Sequence, residues 1–283
     1  MVQGAIRKAN VLIEALPYIK KFHKKIFVIK YGGSILGEKR VRKCVLEDIA
    51  FLRYAGIWPI IVHGGGPNIT DSLDAHNIKS KFIDGMRVTD EFTLRIVEDE
   101  LNKLNDAIVE EISAHGVAAR GFKGKDRLLK AVKKENDVDL GLVGEICGFD
   151  IEILKKALTE SIPVICPMGA SADGTNYNIN ADNVAYFIAS QLDAEKIVLL
   201  TNVLGVMRNS RDKNSLISTM TVQEVEDLIE NKIIDEGMVP KVRAASKAIA
   251  SGVNKAHIVD AKISHALLLE IFTDKGSGTE IVR

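Results

Sequence analysis

The sequence is short of the features that mark several protein classes. It holds three cysteines in 283 residues, Cys44, Cys147 and Cys166, with no CxxC pair. That odd, scattered set excludes a disulfide framework and offers no zinc-ligand spacing, so no metal site is expected. The cysteines read instead as small buried hydrophobes in a reducing compartment. Net charge is absent too: 38 basic residues balance 38 acidic ones. No block of like charge is long enough for a nucleic-acid arm, so nucleic acid is not an expected partner, and any bound anion must be held by a local site. No run reaches the roughly 18 apolar residues of a membrane span, and the first turns of the chain are too polar for a secretory leader. A cytoplasmic protein without membrane contact is the expectation. Histidine is scarce, and only His63 of six lies inside a strongly punctuated motif. Neither a Ser-His-Asp arrangement nor a metal-ligand spacing emerges, so nucleophilic catalysis by the protein is not expected.

What is present is an alternation of apolar strands and amphipathic helices. With 46% hydrophobic and 27% charged residues the chain can bury a sizeable core, as one large domain or two lobes sharing a sheet. "IFVIKY", "WPIIVH", "IPVICPMG", "KIVLLTNVLGV" and "KAHIVD" read as nearly continuous apolar strands. "RVRKCVLEDIAFLRYAG", "ADNVAYFIASQL" and "KVRAASKAIASGV" read as helices. This pattern predicts an α/β fold: an open, mostly parallel central sheet sandwiched by helices in three layers. Ligands in such folds sit beyond the carboxyl ends of the strands. "KSKFIDGMRVTDEF", turning at Asp84-Gly85, and the glycine-punctuated segment 121–150 read as β-hairpin flaps on the surface. The expected organisation is an N-terminal amphipathic helix (1–24), a first lobe (25–175) and a second lobe (176–283), with the boundary near "ASADGTNY". Pro17 is expected to kink or end the helix. That helix is either a subunit contact or packs back on its own domain.

Chemistry is concentrated where the strands end. "YGGS" (with Gly32 and Gly33) and "HGGGP" (with Gly65 and Gly66) fit neither GxxxxGK[ST] nor GxGxxG. Two such loops on neighbouring strands are either tight turns or a cradle of backbone N–H groups for a phosphoryl group. Lys30 adds a point charge beside one of them. Lys241, just after Pro240, falls in the first turn of a helix, where the macrodipole disfavours a cation by roughly 0.3–1 kcal/mol, so it is either a plain exposed lysine or the partner of an anion. Asp182 in "YNINADNVA" is an ordinary N-cap or a carboxylate that positions both lysines. Asn178 and Asn180 share one side of an extended segment. Arg87 is a natural clamp for a carboxylate, against a solvated surface arginine.

In this order and at these intervals, "VIKYGGS", "IVHGGGP", "DGMRVTD", "YNINADNVA", "LLTNVLGV" and "EGMVPKV" resemble the amino acid kinase family, from residue 26 to the end. The set "RVTD…YNINAD" favours the branch acting on N-acetyl-L-glutamate over those acting on aspartate, uridylate or carbamate. The resemblance implies transfer of the ATP γ-phosphoryl group to the substrate's side-chain carboxylate, an early step of arginine biosynthesis. Lys30 and Lys241 would then stabilise the migrating phosphoryl group, with Asp182 orienting them. Gly65, Gly66, Arg87 and Asn178 would bind the acyl substrate. Gly32, Gly33, Thr201, Asn202 and Gly205 would line the nucleotide, with Mg²⁺ held mainly by the phosphates. "EALPYI" and "SHALLLEIFTDKGSGTEIV" resemble the arginine-inhibited class, whose N-terminal helix joins three dimers into a hexamer. Arginine would contact Tyr18, Glu270 and Gly276, and a nitrogen-signalling regulator stays open as a partner. Related carboxylate kinases, for a carrier-linked α-aminoadipate or for aspartate, and a silent arginine sensor are the alternatives. The chain departs from the family pattern at Asn202 and Glu236, at "LNKLNDAIV", which lacks an upstream glycine, and at "DAK" (260–262). These put nucleotide and substrate details in question, not the reaction class.

Overall fold

The structure, a computed structural model, describes residues 2–209, 212–234, 237–274 and 276–283; Glu236 lies outside them. The chain enters through α1 (Val2–Phe22), which runs on through Pro17 instead of ending there. Its last turn docks, with Phe22 buried edge-on against Phe27, while Ile6, Leu12 and Ile13 face outward. Next come β1 (Ile26–Tyr31), α2 (Gly33–Leu36), α3 (Lys39–Tyr54), β2 (Trp58–His63) and α4 (Gly66–Ala75). A small hairpin, β3 (Phe82–Ile83) and β4 (Met86–Arg87), leads into α5 (Glu91–Ser113). The Asp90 carboxylate caps α5 by accepting from the Thr93 N–H at 2.7 Å. Then follow β5 (Ala119–Phe122), β6 (Leu129–Lys133), β7 (Val143–Phe149), α6 (Ile151–Glu160), β8 (Ile162–Ile165), β9 (Met168–Ala170) and β10 (Asn176–Ile179). The last part comprises α7 (Ala181–Gln191), β11 (Lys196–Thr201), β12 (Thr219–Thr221), α8 (Val222–Glu230), α9 (Val239–Ala250), β13 (Lys255–Asp260), α10 (Ala266–Phe272) and β14 (Thr279–Val282).

Eight strands form one sheet in the order β12-β14-β13-β11-β1-β2-β8-β5. Neighbours pair in parallel except β13 with β14. The pleat of β1 shows how both faces are covered. Phe27, Ile29 and Tyr31 pack into the cluster under α3, α5 and α10, whereas Val28 joins the cluster under α6, α7 and α9. Lys30 alternates with them and so shares the Val28 face, toward α7. Among the described residues no helix is long and apolar enough to cross a membrane.

Three local expectations need correction. "IPVICPMG" is not one strand: β8 stops at Ile165, and Met168–Ala170 leaves the sheet, because Pro167 offers no N–H for a continuing ladder. The hairpin in 121–150 is not a free surface flap, since β6 and β7 close with β9 and β10 into a four-stranded barrel. The boundary expected at 175 cuts that barrel, because β10 pairs with β7 and β9. The cysteines also differ from one another: Cys166 is buried, Cys44 half-buried and Cys147 exposed.

Candidate active site

β1 and β2 end side by side, with Tyr31 opposite His63, and both run into glycine. Gly33 shows the need. A Cβ there would stand 2.8 Å from the Gly66 nitrogen and 3.1 Å from that of Gly65, so the two loops pass backbone against backbone. Gly65 and Gly66 open α4, whose first N–H groups have no acceptor within the helix and are available to an anion.

The HGGGP loop is held from beneath by His63. Its Nδ1 lies 3.1 Å from the Gly64 carbonyl, and its Nε2 lies 3.1 Å from the Asn105 amide and 3.3 Å from Cys166 Sγ. The carbonyl can only accept, so Nδ1 carries the proton. Burial pushes the imidazole pKa down to about 4, which makes it a neutral brace and not an acid or base at neutral pH. Asn105 also donates to the Val164 carbonyl at 2.9 Å, tying α5 to β8. Neither Asn105 nor Cys166 was visible as a site residue, because the three partners meet only through the sheet.

The Lys30 ammonium lies 2.9 Å from Asp182 Oδ1, with both side chains largely shielded from solvent. Asp182 is not the N-cap of α7. Asn180 is, accepting from the N–H groups of Asp182 and Asn183 at 2.9 and 3.2 Å. The Asp182 carboxylate is therefore left for the lysine. The contact is charge to charge without hydrogen-bond alignment, since Oδ1 makes no hydrogen bond. Lys241 enters α9 in its first turn, and its ammonium bonds the Gly237 carbonyl at 3.4 Å. Among the described residues it forms no ion pair with Asp182, so the structure unites one of the two lysines with the carboxylate and not both.

Beside this pair lies a cavity of about 180 Å³ lined by Gly65, Gly66, Arg87 and Asn178. The guanidinium of Arg87 donates to the Gly66 carbonyl at 3.0 Å and to Thr70 Oγ1 at 2.8 Å, and also to Ser80. It stands 4.7 Å over the Phe82 ring. Burial draws its pKa below the ordinary guanidinium value. The arginine thus stitches the β3–β4 hairpin to the glycine loop and is no solvated surface residue. Thr89 completes the arrangement, donating to the Arg87 carbonyl at 2.7 Å and accepting the Asn178 amide at 3.3 Å. The spacing of "RVT" puts Thr89 on the same side as Arg87, the one local signal of its place here.

On the other flank, Gly32 faces the end of β11, where a Cβ would stand 2.9 Å from the Leu200 carbonyl oxygen. Thr201 Oγ1 is already engaged, with its one proton shared between the carbonyls of Val203 at 3.0 Å and of Val259 on β13 at 3.3 Å, and it accepts the Val203 N–H at 3.2 Å. Gly205 is buried at φ 144°, and Asn202 is exposed. At the opposite, amino end of the strands is a second cavity, of about 210 Å³, lined by Tyr18, Glu270 and Gly276 together with Lys196, His257 and Asp274. Tyr18 donates to Asp274 there. Lys196 Nζ lies 2.9 Å from His257 Nε2, and His257 Nδ1 lies 2.7 Å from Glu270. Burial lowers the Lys196 pKa to about 8. Burial raises the Glu270 carboxyl, but the His257 bond and the N–H groups of Ser277 and Gly278 outweigh it, for a net fall. At Gly276, φ 63°, a Cβ would strike Glu270 Oε2 at 2.7 Å.

A parallel sheet with a glycine-lined cleft at the carboxyl ends of its strands, and an ammonium group at the base, defines an α/β fold built to handle anions. The pattern of the amino acid kinase family matches residues 25–260. This chain belongs to that family. It is similar to the acetylglutamate kinase of Caldanaerobacter subterraneus subsp. tengcongensis, with 48% identity over 98% of this chain and 93% of that one. Identity to the acetylglutamate kinase of Desulforamulus reducens is 46%, over 98% of each. Among solved structures, the N-acetylglutamate synthase of Neisseria gonorrhoeae, complexed with coenzyme A and N-acetyl-glutamate, superposes with a TM-score of 0.88 at 25% identity. That likeness covers 97% of this chain but 63% of the synthase, so this chain spans less than two thirds of that longer protein.

Proposed function

We propose that this protein transfers the γ-phosphoryl group of ATP to the side-chain carboxylate of N-acetyl-L-glutamate, giving an acyl phosphate and ADP within arginine biosynthesis. The acetylglutamate kinases similar over nearly the whole chain support the activity. The observation that carries the site is the cavity shared by Gly65, Gly66, Arg87 and Asn178 beside the Lys30–Asp182 pair. A side-chain carboxyl with a pKa near about 4.3 is already ionised at neutral pH, so no general base is required. Its oxygen attacks the γ-phosphorus while the bond to the ADP oxygen breaks. The protein's part is positioning and charge stabilisation.

Arg87 and Asn178 orient the acyl substrate, and the Gly65 and Gly66 N–H groups meet its charge. Lys30, aimed by Asp182, neutralises charge growing on the transferred group. Lys241 rests on the Gly237 carbonyl, and its flexible stem lets it swing to a bound nucleotide. Gly32, Gly33, Thr201, Asn202 and Gly205 shape the nucleotide flank. The Asp182 carboxylate is engaged with Lys30, so the donor set fits a Mg²⁺ carried by the phosphates, where it would offset their charge. The acyl lobe then comprises roughly the first part of the chain with the small barrel, and the nucleotide lobe the remainder.

Arginine is the proposed inhibitor, bound in the cavity of Tyr18, Glu270 and Gly276, whose acid groups suit a guanidinium. The outward apolar face of α1 is proposed as the contact that joins dimers into a hexamer in the cytoplasm. Removing residues 1–22 should yield a smaller active particle, and an unchanged mass would count against that assembly. The activity itself is tested by ADP release with N-acetylglutamate, glutamate, aspartate and aminoadipate in parallel, with and without arginine. Turnover confined to N-acetylglutamate is expected; equal turnover of any other acid overturns the assignment.

A further inference from the structure

We propose that Cys44, Glu47 and His265 form a binding site for a Zn²⁺-class divalent cation, braced by Asp48, that ties α3 to the start of α10. Cys44, Glu47 and His265 each bring one donor atom within 4.8 Å of the others. On α3, positions 44, 47 and 48 are spaced to lie on one face. The third donor arrives from the far end of the chain, 217 residues beyond Asp48. No spacing rule applied to the sequence could have joined them.

The arrangement around His265 is what separates this cluster from a chance meeting of surface groups. His265 precedes α10 in the left-handed region, at φ 55°, a conformation uncommon for a residue with a side chain. Its ring is held by a bond of 2.6 Å from Nδ1 to Asp48, a carboxylate that is 1% exposed. A carboxylate on Nδ1 sets the tautomer and leaves the Nε2 lone pair to bind a metal, the pairing found behind metal-bound histidines. The donor set is one sulfur, one nitrogen and one carboxylate oxygen. Thiolate and imidazole disfavour Mg²⁺ and Ca²⁺, while the mixed set suits Zn²⁺ with an open position for water. The cluster borders a cavity whose lining joins Cys44 and Ser264 to Arg40 and Lys262, and a bound cation would have to displace the pairing of Lys43 with Glu47. Ser264 Oγ is 3.8 Å from Cys44 Sγ, and the exposed Lys43 lies 3.8 Å from Glu47. Because α10 carries Glu270, a cation here would stiffen the helix that walls the second cavity.

The test uses the full-length, untagged chain, stripped with chelator, desalted and kept reduced without thiols, then titrated with Co²⁺. Expected are one equivalent bound, a thiolate-to-cobalt absorption band in the near ultraviolet, and its loss on adding Zn²⁺. Cys44→Ser should abolish the band, and Glu47→Gln should weaken Zn²⁺ binding by about tenfold or more, measured against a chromophoric chelator. Cys147→Ser, which removes the exposed thiol elsewhere, should leave the band unchanged. The circular dichroism of each metal-free variant should match the parent, which separates lost ligation from lost fold. Absence of the band at stoichiometric Co²⁺ overturns the proposal, as does its survival in Cys44→Ser or its disappearance in Cys147→Ser.

Discussion

The two ends of the central sheet solve opposite electrostatic problems with the same strands. At the carboxyl ends of β1 and β2 the chain offers backbone N–H groups, glycine and one shielded ion pair, Lys30–Asp182. At the amino ends of β11 and β13, Lys196 and Lys255 begin a compensated network that passes through His257 to Glu270 and through Glu280. The first end keeps the backbone N–H groups that open α4 uncommitted, as a site must that receives charge only briefly. The second end pairs Lys196 with His257, His257 with Glu270 and Lys255 with Glu280, so the ligand proposed there would exchange partners. Electrostatic catalysis requires preorganised, unspent donors, whereas a regulatory pocket can hold its charges paired until the ligand arrives.

The comparison breaks most sharply at Lys30. Lys30→Ala should lower turnover by about 10²–10³ or more, in line with the loss of a preorganised oxyanion donor. Arginine binding measured by calorimetry should survive, since the pocket proposed for it lies at the other end of the sheet. Near-normal turnover would remove Lys30 from its role. Arg87→Lys comes next. It keeps the charge but loses the forked contacts to Gly66 and Thr70, so KM for the acyl substrate should rise by about 10–100-fold with KM for ATP almost unmoved. Equal changes in both would show that the hairpin stitch is general to the fold.

Stability against pH sharpens the contrast in the cleft's support. His63 has a folded pKa of about 4, below its ordinary value of 6.5. As pH falls the unfolded chain takes the proton first, so stability is full above about 6.5 and declines toward 4. Between pH 7 and pH 5 the loss from this group is about 2 kcal/mol. Urea midpoints of the parent at those two pH values should separate more than those of His63→Asn, and parallel shifts would refute the brace. The smallest effect is expected in the second cavity. Glu270→Gln should weaken arginine binding about tenfold, the loss of one charge-assisted bond. Undiminished affinity would place arginine elsewhere.

Legibility followed the range of the interactions. Nearly continuous apolar runs exposed β1, β2, β11 and β13 directly, because burial on both faces of a parallel sheet demands that pattern. Alternation put Asn178 and Asn180 on one side, whereas the family resemblance alone joined Arg87 to Asn178, two residues that the fold brings to one cavity. The barrel was harder to see. β6 and β7 read as a surface hairpin, and only the detour of the chain after Pro167 supplies β9 to close them. Residues 91–113 received no element from the pattern, although they form α5 and supply Asn105 to the His63 brace.

By itself the sequence determined the alternation of strand and helix, the side of each strand that faces the core, and the places where the backbone had to lose its side chains. These follow from local periodicity and sterics. Tertiary structure alone decided which lysine meets Asp182, that His63 is braced by Asn105 and Cys166, and that His265 returns to Asp48 across most of the chain. Such contacts depend on how strands are ordered in the sheet. That order is set by the packing of whole faces, which no short stretch of residues encodes.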